Sequence, residues 1–131
     1  PPPPPPPPPA VAAKPLARLV DPPTHVRVKS LLGGRLRVRV GCTSACTITG
    51  TLRLSGPTAR RIGLTKRSAS VQIGSANARF ERAKSALVAI RLTKRAVNSL
   101  RKADSGTLAL RMTASHGSRR QQLNELIRLR R

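Results

Sequence analysis

The chain has 131 residues, of which 26 are Lys or Arg and only 4 are Asp or Glu, for a formal net charge of +22. There is no Trp or Tyr and a single Phe, so any core must be aliphatic, and a nucleic-acid platform built from stacking aromatics is excluded. The length allows one domain with a modest core, and no apolar run approaches the ~20 residues of a membrane-spanning helix.

Pro1 to Pro9 is unbroken proline. Proline fixes φ and has no amide donor, so this piece reads as a polyproline II rod of about 3.1 Å per residue that cannot enter a sheet interior. It is a stalk or linker, or a docking strand for a neighbouring molecule. The connector AVAAKPLARLVDPP follows; Val11, Leu16, Leu19 and Val20 are its apolar residues available to pack on the domain or on a neighbour. Residues 1–23 are therefore set apart as a Pro-rich arm or linker, and 24–131 as the folded domain. The chain starts on proline and its one methionine is Met112, as expected of a processed or excised piece. The lack of a signal peptide then carries no weight.

Val26 and Val28 alternate with Arg27 and Lys29, which predicts a first strand closed by Leu31-Leu32 and turned by Gly33-Gly34. The stretch RLRVRVGCTSACTITGTLRL, residues 35–54, has the strictest pattern in the chain. Leu36, Val38, Val40 and Cys42 share one parity and Arg35, Arg37 and Arg39 the other. Cys46, Ile48, Leu52 and Leu54 then alternate with Thr47, Thr49, Thr51 and Arg53. Such alternation marks strands with one buried and one wet face. Two of them joined by Thr43-Ser44-Ala45 predict a β-hairpin with Cys42 and Cys46 opposite each other and close enough for a disulfide. Gly50 falls on the inward parity, at a bulge or a close contact. A local disulfide implies an oxidising compartment. Metal binding is not expected: the C-x3-C spacing has no second cysteine pair, and His25 and His116 have no partner at ligand spacing. Arg35, Arg37, Arg39 and Arg53 form the candidate anion-binding set. The competing reading is a solvated surface, since the arginines are spread over every element.

Further on, Thr58 is placed to cap a short helical turn with Ala59, Ile62 and Leu64 toward the core. Val71 and Ile73 suggest a short strand, Gly74-Ser75 a turn, and Ala76, Ala78 and Phe80 another short strand. Val88, Ile90 and Leu92 mark a stronger one. Thr93 then caps a second helical turn carrying Ala96, Val97 and Leu100. Leu108, Leu110, Met112 and Ala114 form the next strand, Ser115 to Ser118 a turn, and Leu123, Ile127 and Leu129 the inward side of the last strand. Glu125 shares that parity, at a bulge or rim. Seven or eight short strands with turns between them predict an all-β sandwich.

In this order the elements resemble the bacterial Ig-like β-sandwich modules of secreted and cell-surface proteins from high-GC bacteria. Three stretches carry the resemblance: V-x-V-x-C…C-x-I-x-x-x-L from Val38 to Leu52, IRLTKRAVNSLRK from Ile90 to Lys102, and LALRMTASHGSRRQQLNELIRL from Leu108 to Leu129. The resemblance implies an Ig-like antiparallel sandwich with two short helical connections, used as a spacer, adhesion or wall-associated module. Ser115-His116-Gly117-Ser118 replaces the acidic turn frequent in such modules, which speaks against calcium there.

No catalytic constellation is legible. Asp21, Glu81, Asp104 and Glu125 are isolated in sequence, and no nucleophile elbow or phosphate loop is present. The expectation is a non-enzymatic extracellular structural module without cofactor or metal. It would be a cell-surface spacer or adhesion domain, or a fibre subunit assembling head-to-tail with other copies through its Pro-rich arm. Neighbouring modules of a larger protein are the other expected partners. The alternative is a basic polyanion-binding protein, with nucleic acid or an acidic glycan such as a cell-wall polyanion as partner.

Overall fold

The computed structural model describes residues 2–5, 15–66 and 69–131. Pro1, Pro9 and Val11 lie outside the described residues, and Pro2–Pro5 are exposed without regular structure. Eight strands form one hydrogen-bonded set: β1 (Ala17–Val20), β2 (His25–Arg27), β3 (Arg35–Cys42), β4 (Cys46–Leu54), β5 (Val71–Phe80), β6 (Lys84–Leu92), β7 (Ser105–His116) and β8 (Arg119–Arg130). Three short helices connect them: α1 (Val28–Leu31), α2 (Gly56–Arg61) and α3 (Lys94–Leu100). The strand order is β1-β3-β6-β5-β4-β7-β8-β2, antiparallel throughout except for the β2–β8 pair. β5 and β6 pair only at Gly74↔Leu92 and Ser75↔Arg91. At that corner the sheet folds over, giving a leaf of β1, β3 and β6 and a leaf of β5, β4, β7, β8 and β2. The result is the all-β sandwich expected from the alternation. Its core is aliphatic: Val38, Val40, Ile48, Leu52, Ile73, Val88, Ile90, Leu108, Leu110, Met112 and Ile127 are buried together with Phe80.

Alternation located the faces correctly but not always the neighbours. β3 and β4 are not a hairpin. β3 pairs with β1 and β6, whereas β4 pairs with β5 and β7. The loop 43–45 is an arch that carries the chain from one leaf to the other. Hairpin and arch put the same parity inward, so the pattern could not separate them. The disulfide between Cys42 and Cys46 is present, with Cα atoms 6.7 Å apart, and it closes the arch where the two leaves meet.

Other expectations change for local reasons. Val28 belongs to no strand: it starts α1 and is buried with Leu31 three residues later, on one helical face. Gly74 is not a turn. β5 runs through it, with a register shift opposite Leu52 and Arg53 that leaves Ile73 as the extra residue of a bulge. Ile73 and Gly74 are consequently both buried. Thr58 does not cap α2, which begins after Ser55 with Pro57 in its first turn. Thr58 is instead a buried residue of that helix, 3% exposed. The boundary expected at 23/24 also moves: Leu16 and Ala17 are in the core, and Ala17–Val20 form an edge strand on β3. Leu16 and Leu19 supplied the apolar signal, but the Asp21-Pro22-Pro23 break hid its continuity with the domain.

Three further local expectations are met, while the turn expected over Ser115 to Ser118 shrinks to Gly117-Ser118 because β7 runs on to His116 and β8 begins at Arg119. The Thr93 side chain accepts a hydrogen bond from Ala96 N at 3.2 Å and caps α3. Gly50 is a close contact: a Cβ there would lie 3.2 Å from Met112 Cγ. β7 and β8 form the terminal hairpin in unbroken register, turned at Gly117 with φ +59°, and Glu125 is half-buried at the rim.

Candidate functional site

Two features stand out: the point where the Pro-rich segment enters the sandwich, and the outer faces where arginines collect. At the entry, the disulfide arch reaches over the incoming chain. Thr43 N donates to Leu16 O at 2.9 Å, and Thr43 Oγ1 donates to Pro15 O at 2.8 Å. Ala17 then pairs with Cys42 in the β1–β3 register. Its other side is held from the opposite leaf: Ala17 N donates to Gln121 Oε1 at 3.1 Å, and Gln121 Nε2 donates to Ala17 O at 2.9 Å. One side-chain amide thus takes the place of a strand along the outer edge of β1. Gln121 could not be singled out beforehand, because its role depends on β8 lying beside β1 across the sandwich edge.

The same contact orients the ends. Ala17 sits beside Gln121 near the start of β8, and β8 continues to Arg130. Nine strand residues at about 3.3 Å each make about 30 Å. The chain therefore enters the sandwich at one pole and finishes β8 at the other. Lys84 and Phe80, register partners of Cys42 and Cys46, flank the disulfide at the entry pole, with Lys84 Nζ 5.9 Å from the centre of the Phe80 ring.

The four arginines singled out by alternation are all exposed, but they do not form one set. Arg35, Arg37 and Arg39 lie on the outer face of the β1–β3–β6 leaf. Arg53 is on the other leaf, where its Nε and Nη2 donate to Ser70 Oγ and Ser70 O, each at 3.0 Å. Two arginines that the pattern did not group join the first three: Arg91 pairs with Arg35, and Arg18 pairs with Gly41. Each alternates with apolar residues in its own strand, but which strand lies beside β3 could not be read locally.

Asp104 pairs with Arg131 at 2.7 Å on the surface. Among the described residues, no three of His, Cys, Asp and Glu come together where they could hold a metal ion. No helix of the described residues is long and apolar enough to cross a membrane.

No family model matches this sequence, and no curated protein matches it. Among solved structures the chain is similar to ACE19, the collagen binding subdomain of the Enterococcus faecalis surface protein ACE. The match has 8% identity and a TM-score of 0.31, and covers 75% of this chain and 88% of that chain. At that identity and TM-score, neither ligand nor role passes from it to this chain.

Proposed function

We propose that this chain is a non-enzymatic extracellular spacer module of the bacterial surface-protein kind, with the Pro-rich segment and the sandwich acting in series. The observation that carries the reading is the pinned entry at one pole with β8 ending at the other, about 30 Å away. Such a module transmits distance along a chain of copies instead of folding back on itself. The Cys42–Cys46 bond supports an oxidising, extracytoplasmic setting, and an unbroken run of prolines is a sequence suited to a stiff spacer. Assembly into a fibre through Leu16, Leu19 and Val20 has less support, because Leu16 is spent in its own core and the other two in its own edge strand.

Small-angle scattering on one, two and three tandem copies tests the spacer. The maximum dimension should grow by at least about 30 Å per added copy. Tandem copies that collapse onto one another with no such growth would overturn the reading.

A further inference from the structure

The outer face of the β1–β3–β6 leaf goes beyond a passive spacer. Arg35, Arg37 and Arg39 step along β3 at about 6.6 Å per pair of residues. The register extends the row at both ends. Arg91 stands directly beside Arg35. Arg18 stands beside Gly41, where its stem passes 3.7 Å from the position a Cβ would take. Gly41 thus opens the surface at the level where Arg18 takes over from the arginines of β3. The five guanidinium groups occupy four successive levels along the strand, spanning about 20 Å. None of the five is hydrogen-bonded or ion-paired to another described residue. None of the four acidic residues lies on these three strands; Asp21 follows β1 and Glu81 precedes β6.

Such a row opposes stability. Like charges facing each other across strands repel, and Arg35 opposite Arg91 is such a pair with no carboxylate on its strands to offset it. The other leaf spaces its charges differently: between Arg79 and Arg120 the outward row reads Thr47 and Ser115.

We infer that this arginine track binds a linear acidic polysaccharide laid along β3. A regular series of cations along one line suits a polymer with repeating anionic groups better than a single small anion. Each guanidinium can take a carboxylate or sulfate in a two-pronged hydrogen bond. The residues beside the track fit a sugar: Val20 and Leu87 flank Arg39, and Ala89 flanks Arg37. Leu87 is 54% exposed, an apolar surface for the carbon–hydrogen face of a pyranose ring. Nucleic acid is the poorer match, because no aromatic side chain faces outward here for bases to stack on, and Phe80 is buried.

Binding of polygalacturonate, neutral dextran and a single-stranded oligonucleotide of similar charge density, followed by salt titration, tests the track. Polygalacturonate should bind more tightly than the oligonucleotide, and dextran should not bind. The double variant Arg37→Ser/Arg39→Ser should lose about tenfold in affinity for polygalacturonate at low salt, and its slope of log affinity against log salt should fall by about two. Arg111→Ser/Arg128→Ser carries the same charge change on the other leaf and should stay close to the parent. Thermal melting of both variants checks that they fold. Equal losses in the two variants would reduce the effect to overall charge and overturn the site. Tighter binding of the oligonucleotide would replace the glycan with nucleic acid. Either result leaves the spacer reading untouched, since that stands on the scattering of tandem copies.

Discussion

At the scale of single residues, the close approaches between elements are made by small side chains and fail if these grow. Gly106 on β7 lies under Thr58 of α2. A Cβ at Gly106 would stand 2.7 Å from Thr58 Oγ1 and 2.8 Å from its Cγ2. Thr58 has little freedom to retreat: it is buried, and its Oγ1 accepts hydrogen bonds from Ser55 Oγ at 3.0 Å and Arg61 Nη2 at 3.4 Å. Ser55 N is in turn bonded to Thr107 O at 2.9 Å, which ties the start of α2 to the same strand. Gly106→Ala should therefore cost about 1–3 kcal/mol in urea unfolding, as overpacking does in a filled site. Gly33→Ala, where a Cβ meets nothing within 4 Å, should be near neutral. Combining Gly106→Ala with Thr58→Ala should cost less than the sum of the two single changes, because the second removes the atoms the first strikes. Strict additivity would show that the contact is not the cause.

At the scale of elements, what the sequence made legible was the inward or outward side of each strand. What it hid was which strand lies next to which. Val38, Ile48, Val88 and Ile127 are buried and Arg37 is exposed, as parity required. The Thr43-Ser44-Ala45 turn nevertheless joins two leaves and not two neighbours, because a three-residue loop between alternating runs looks the same in either arrangement. The arginine track was half visible for the same reason: Arg35, Arg37 and Arg39 share a strand, while Arg18 and Arg91 reach them only through pairing. β1 was missed as a strand because it is four residues long and set off by prolines. Its anchorage gives two predictions. Gln121→Ala removes both hydrogen bonds on the outer side of Ala17. It should speed amide hydrogen exchange in β1 selectively, at Arg18 and Val20, whose amides face β3, while β7 stays protected; uniform acceleration would mean that Gln121 supports the whole fold and not one edge. Cutting the arch bond with Cys42→Ala/Cys46→Ala should lower the unfolding free energy by about 2 kcal/mol, the chain-entropy value for so short a loop. Thr43, which bonds Pro15 and Leu16, should become the first amide in its neighbourhood to exchange. A variant as stable and as protected as the parent would show that the arch is held by its hydrogen bonds alone.

At the scale of the whole molecule, charge dominates. A net +22 on 131 residues means that folding gathers cations that the extended chain keeps apart, and self-repulsion works against the compact state. Local pairing offsets little of it. Asp104 and Arg131 are each 73% exposed, and exposed pairs contribute at most about 1 kcal/mol. The aliphatic core has no Trp or Tyr to add area, so the margin against this repulsion is narrow. Dissolved salt should then stabilise the protein. The screening length falls from about 30 Å at 0.01 M to about 8 Å at 0.15 M, from about the pole-to-pole length of β8 to about the separation of adjacent arginines on β3. Over that range most long-range repulsion across the sandwich is removed while nearest-neighbour repulsion persists. If the relief is about 1 kcal/mol, Tm should rise by about 3–6 °C for a chain of this size. Calorimetry in sodium chloride from 0.01 to 0.15 M measures it. Arg35→Ser, which breaks the facing Arg35–Arg91 pair, should raise Tm at low salt and lose most of that advantage at high salt. A parent Tm that is flat or falls with salt would mean that the arginines are already compensated in the folded state, and that the track on β3 is not the repulsive surface its register implies.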